Sequence, residues 1–164
     1  MAATRMQAAA GQAAEVLART LYAEAGTRPV RAVEALAALV VNRAQAALGG
    51  EAARLRFAPG LRLAASQCRP ALWPLLLGAV CRAPFQFGCW NPRHARHALL
   101  RCPPPEDATL AACRRIAARA AAGTLADPTG GATHQHPAEH LPGWALGREA
   151  TVEIGGLVFY RLAG

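Results

Sequence analysis

Leu17-Ala18-Arg19-Thr20-Leu21-Tyr22-Ala23-Glu24-Ala25-Gly26 reads as the last turns of an amphipathic helix with an acidic residue in an unusual place. At about 100° per residue, Leu17, Leu21 and Glu24 share one face, so a carboxylate continues an apolar stripe. Burying an unpaired charge is costly. Glu24 therefore is paired, stands at the wall of a cleft, or reaches solvent at a fraying helix end. In a cleft, desolvation would favour its protonated form. Gly26 stops the helix. Working outward, residues 8–25 are expected to form this first helix, with Glu15 and Arg19 an i,i+4 ion pair on its outer side.

The next segment predicts a buried helix to about residue 47. Thr27 is the expected N-cap, Pro29 lies in the first turn, and Val33, Leu36, Ala37, Val40 and Val41 form the stripe. Residues 51–70 are expected to be irregular, and residues 72–80 a short apolar helix. Residues 83–92 hold too many aromatics and breakers for a regular element; such a loop either lines a cleft or plugs a satellite core. A further helix is expected over 106–122, with Leu110, Cys113, Ile116, Ala117 and Ala120 inward. Residues 132–136, if extended, set His134 and His136 on one face and Thr133 and Gln135 on the other. Two short apolar runs around Gly155-Gly156 read as a hairpin.

A chain of 164 residues is one domain of ordinary size, spanning 1–164. Apolar residues make up 53% of it but aromatics only 5%, and the alanine-rich remainder favours helices over a β-sandwich. The net charge of +8 attracts anionic partners: nucleic acid, a membrane surface or an acidic wall polymer. The basic residues are all arginines, scattered along the chain without interleaved aromatics, so a nucleic-acid partner is not expected. No apolar run is long enough for an integral membrane segment. Residues 1–11 lack the leucine-rich core of a secretory signal, so synthesis in the cytoplasm without a signal peptide is expected.

Three constellations can carry chemistry. Glu24 is a candidate general acid: glycosidic cleavage requires a proton delivered to a poor leaving group. His134, His136 and His140, with His94 and His97 in reserve, have spacing compatible with zinc, but no nearby carboxylate is placed as base. Cys89 beside Trp90 is a candidate nucleophile without an orienting residue, and a packed thiol is its plainer reading. Cys68, Cys81, Cys102 and Cys113 form no Cys-x-x-Cys pair and read mostly as small buried hydrophobes.

Four ordered segments carry a resemblance. They are Leu21-Tyr22-Ala23-Glu24-Ala25 with Ala37-Ala38-Leu39-Val40-Val41-Asn42-Arg43; Phe85-Gln86-Phe87-Gly88-Cys89-Trp90; residues 127–136 with Pro142 and Trp144-Ala145; and Ile154-Gly155 with Phe159-Tyr160-Arg161. Together they resemble the SleB/CwlJ cell-wall hydrolases, the spore cortex-lytic type. Departures fall at Ala23, where the family has glycine, at Gly26-Thr27-Arg28, at Ala32-Val33, and at Gln135, where an aromatic is common.

The resemblance implies an α+β, mainly helical, lysozyme-like domain with a small C-terminal β element. It implies an enzyme, a lytic transglycosylase acting on peptidoglycan glycan strands at the MurNAc-GlcNAc β-1,4 bond, with Glu24 as catalytic acid/base. Gln86, Phe87, Trp90, Thr133, His134, His136, Trp144 and Tyr160 are the implied substrate-binding residues. Neither metal nor cofactor is expected, a monomer is the expected state, and the cell wall or periplasm the expected site of action. The alternatives are a hydrolytic muramidase, in which Asp127 or Glu139 adds a second carboxylate, an inactive wall-binding or assembly protein, and, more distantly, a zinc amidase.

Overall fold

The computed structural model describes residues 1–63 and 68–162. Among them the order is α1 (Ala2–Ala25), α2 (Val30–Gly49), α3 (Glu51–Phe57), α4 (Arg69–Arg82), α5 (His97–Arg101), α6 (Ala108–Ala121), then β1 (His134–Pro137), β2 (Val152–Ile154) and β3 (Leu157–Tyr160). Single 3-10 turns occur at Gly88–Trp90 and Gly143–Ala145. The α+β class and the small C-terminal β element hold. None of the described helices is long and apolar enough to cross a membrane.

Several boundaries differ from expectation for identifiable reasons. α1 starts at Ala2 rather than residue 8, because its alanine-rich exposed beginning continues a helix on propensity. Thr27 is not the cap of α2; Gly26 turns left-handed (φ 59°), Arg28 N–H donates to Ala25 O, and extended Pro29 takes the N-cap position. Residues 51–57, expected to be irregular, form α3, in which Glu51 at the start and Arg54 and Arg56 at the end complement the helix dipole. Residues 64–67 of that same expectation lie outside the described residues. α4 extends at both ends of its expected range, with Pro70 in its first turn and Pro74 inside it. α6 is capped by Asp107, whose side chain accepts from Thr109 N (2.7 Å) and Leu110 N (3.1 Å), and it buries the five expected residues.

The core lies where α1 and α2 pack on α4 and α6. Leu17, Leu21, Leu36, Leu39, Leu77 and Leu110 are fully buried, and Ala18, Ala23, Ala35 and Ala37 beside them let the helices approach closely. The antiparallel sheet has the order β1-β3-β2, with His134 opposite Tyr160, Gln135 opposite Phe159, and Val152 also opposite Phe159. Phe159 points into the core with no exposed surface. Its neighbour Tyr160 therefore shares the other face with His134 and His136. The Gly155-Gly156 turn packs on the start of α2: a Cβ on Gly155 would stand 2.7 Å from Ala32 Cβ, and Arg28 donates to both glycine carbonyls.

Candidate active site

Glu24 is the penultimate residue of α1. Burial of Leu17 and Leu21 points its half-buried side chain along the same face as the helix ends. The main-chain N–H of Cys89 donates to Oε1 at 2.8 Å. The Cys89 thiol also lies against the Glu24 carboxylate, so the backbone and the side chain of the same residue hold it.

The turn bearing Cys89 is fixed from several sides. Trp90 Nε1 donates to Thr20 Oγ1 (3.2 Å), one helical turn before Glu24, and His97 Nδ1 donates to Cys89 O (2.9 Å). Arg96 Nη1 donates to the carbonyls of Ala23 and Glu24, both at 3.1 Å, placing a cation on the negative end of the α1 dipole. The carboxyl thus hangs on an immobilised helix end and an immobilised turn. The Cys89 thiol is buried, and burial together with the Glu24 charge pushes its pKa up, the opposite of what a nucleophile needs. Burial likewise raises Cys81 to about 12 and Cys113 to about 11.

A second group gathers on the outer face of the sheet. The His136 ring stacks on Tyr160 (centroids 5.4 Å apart), and Trp144 meets His134, His136 and Tyr160 at 5.6, 5.8 and 5.3 Å. His136 Nδ1 lies 2.8 Å from Pro137 O, which only accepts, so Nδ1 carries a proton. Its Nε2 lies 3.0 Å from the Tyr160 hydroxyl. Thr133 Oγ1 lies 2.9 Å from His134 Nδ1. Burial, followed by the charges of Arg43, Arg56 and Arg148, lowers the His134 pKa to about 4, so this ring is neutral near pH 7. The result is an aromatic wall with the neutral His134 ring at its edge, and Trp144 remains exposed upon it.

Arg43 joins the two groups. It is 4% exposed, its Nε donates to Thr133 O at 2.7 Å, and its guanidinium lies over the rings of Phe87 (5.4 Å) and Phe57 (5.8 Å). Phe57 in turn meets the His134 ring edge-on at 6.1 Å. Burial lowers the Arg43 pKa to about 10, which leaves it charged, and its Nη1 has no hydrogen-bond partner among the described residues. The two ring faces offset part of that desolvation. Asn42, the preceding residue, donates to Asp127 Oδ2, Thr129 Oγ1 and Ala132 O, pinning the turn that leads into β1.

The structure thus sorts the expected site residues. Glu24, Phe87 and Trp90 surround the Cys89 turn, with Gln86 beside it making no side-chain hydrogen bond among the described residues. Thr133, His134, His136, Trp144 and Tyr160 form the sheet-side wall. Two concavities flank these residues. One of about 390 Å³ is bordered by Gly49, Gly50, Arg56, Phe57 and Thr133, and one of about 360 Å³ by Phe85, Phe87, Gly88 and Trp90.

Asp127 is committed elsewhere: Oδ1 accepts from the backbone N (2.7 Å) and hydroxyl (2.6 Å) of Thr129, and Oδ2 accepts from Gly131 N and Asn42. Glu139 is exposed and pairs with Arg28 at 3.1 Å. Exposed His140 does not join His134 and His136, and among the described residues no three His, Cys, Asp or Glu side chains converge as metal ligands. Arg43, Phe57 and Arg96 escaped the site prediction. Arg43 had a signal, because it continues the buried Leu36, Val40 and Ala47 stripe as Glu24 continues its own.

The cell wall hydrolase family model matches residues 62–160. That span takes in the Cys89 turn and the whole sheet-side wall, and it begins after α1 and α2, which carry Glu24 and Arg43. No curated protein and no solved structure matches the chain with significance. With well over half of its length matched, the chain belongs to the SleB-type cell wall hydrolases, enzymes that act on peptidoglycan.

Proposed function

We propose that the protein is a lytic transglycosylase cleaving the β-1,4 bond between N-acetylmuramic acid and N-acetylglucosamine, with Glu24 as its single acid/base. Glu24 protonates the leaving glycosidic oxygen as the bond to the anomeric carbon breaks. The resulting carboxylate takes the proton from the muramyl C6 hydroxyl as that oxygen closes on the anomeric carbon, leaving a 1,6-anhydro ring. The attack is intramolecular, so proximity replaces a second catalytic carboxylate. The Cys89 N–H on Oε1 supports this reading most directly, because it orients the carboxyl at the end of α1. The engagement of Asp127 by four donors, and of Glu139 by Arg28, argues against either as partner in a hydrolytic muramidase.

Trp144, the exposed ring of the wall, is assigned to contact with a sugar face, and Gln86, Thr133 and His134 to hydrogen bonds with hydroxyl and N-acetyl groups. Phe87, His136 and Tyr160, which the sequence marked as substrate-binding, are buried and back this surface, and Trp90 braces the loop. A neutral His134 suits such a role, since it donates or accepts without bringing a charge beside the developing oxocarbenium ion. The positive net charge favours association with an anionic wall. Glu24→Gln keeps the shape and the acceptor for Cys89 N–H but removes the transferable proton. It is expected to lower the cleavage rate on purified sacculi about 10²–10⁴-fold while leaving the thermal transition in place. Undiminished release of soluble fragments would refute the assignment.

A further inference from the structure

Phe85 combines two properties that rarely coincide. It is the one residue other than glycine with a left-handed backbone among the described residues (φ 63°), and its side chain is fully exposed, at 104%. Gln86 N donates to Ala83 O, closing a turn with Pro84 second and Phe85 third. A turn with proline second and positive φ third favours glycine or asparagine in that third place, and a bulky aromatic is disfavoured there. No burial of the Phe85 ring offsets the cost. A strained residue kept without a structural return points to function.

The surroundings indicate what the ring meets. Phe85 borders a groove of about 360 Å³ with Arg82, Pro84, Phe87, Trp90 and Pro92. That volume is in the range of small-ligand sites, about 300–1,000 Å³. Phe87 and Trp90 also flank Cys89, whose N–H holds Glu24, so the groove borders the turn that orients the acid. A His94 ring packed against Gly88, where a Cβ would sit 3.2 Å from it, stiffens the same loop. A polymer cut in mid-chain must extend away from the acid on both sides. The sheet-side wall, with Trp144 exposed upon it, supplies aromatic surface on one side, and this groove supplies it on another.

We propose that Phe85 is a stacking platform for a saccharide ring of the peptidoglycan glycan strand, at a subsite beyond the Cys89 turn. This rests on the placement of the cleavage site at Glu24. The apolar C–H face of a pyranose covers the ring, and the Phe85 position in the turn presents that ring to solvent rather than to the core.

Phe85→Gly separates function from structure, because glycine relieves the left-handed strain while removing the platform. The melting temperature is expected to stay level or rise by a few degrees. KM on glycan strands stripped of stem peptides is expected to rise about tenfold with kcat little changed, and Phe85→Trp to restore the parent KM. Pull-down of Glu24→Gln and of Glu24→Gln/Phe85→Gly on the same strands reads binding without turnover, and the double variant is expected to bind about tenfold more weakly. Equal binding by the two, a melting temperature that falls with activity, or a loss seen only when stem peptides are present would overturn the proposal. Should Glu24→Gln remain active, the mechanism fails, whereas the binding comparison still judges the platform.

Discussion

At the scale of single residues, an ionisable group on an apolar helix stripe was the informative feature. Glu24 could be read from spacing because Leu17 and Leu21 precede it at intervals of four and three. Arg43 carries the same kind of signal on α2, yet its place between Phe57 and Phe87 depends on rings that are 14 and 44 residues away in sequence (57 − 43 and 87 − 43), which local periodicity cannot join. His134 shows the same limit, since its neutrality arises from burial and from arginines on three other segments. Its depressed pKa has a consequence for stability. Between the unfolded value of about 6.5 and the folded value of about 4, the unfolded chain binds a proton that the folded one does not. Stability conferred by the neutral ring is therefore complete above that window, falls as pH drops through it, and levels off below. Chemical denaturation from pH 7.5 to 3.5 is expected to show this acid slope, and His134→Gln to flatten it; an unchanged slope would remove His134 as its source.

At the scale of elements, long amphipathic segments were legible and short ones were not. α2 and α6 bury the apolar residues that their periodicity marks, with Val41 partly exposed as the stripe drifts. α3 buries only Phe57 and α5 only Leu100, so neither carries an apolar period that sequence could reveal. The end of α1 is the element on which the site depends. Gly26 combines φ 59° with ψ −125°, a region open essentially to glycine, and a Cβ there would stand 2.9 Å from Arg96 Nη1. Gly26→Ala is thus expected to lose about 1–3 kcal/mol of stability, measured by urea unfolding, and to displace the Arg96 cap from the Ala23 and Glu24 carbonyls. Activity should fall further than the folded fraction does, because the helix end that aims Glu24 moves. A variant as stable and active as the parent would show that neither the left-handed turn nor the Arg96 fit matters.

At the scale of the molecule, the helical core and the small sheet hold the two groups of site residues in one frame. The Cys89 turn is fastened to α1 through Trp90 and Thr20, the sheet is fastened to α2 through the glycine turn of its hairpin, and Arg43 spans the two. The fold class and the family were legible because ordered motifs are distributed over the chain. The meeting of Phe57 with His134, and of Trp144 with Tyr160, was not, because each joins segments that only the tertiary fold brings together. Under the proposed mechanism the Glu24 carboxylate takes the C6 hydroxyl proton once the glycosidic bond is broken. Digestion of purified sacculi with the wild-type protein, followed by mass spectrometry of the glycan ends, reads that step. Fragments ending in 1,6-anhydromuramic acid, lighter by one water than reducing ends, are the predicted result; reducing N-acetylmuramic acid ends would contradict it.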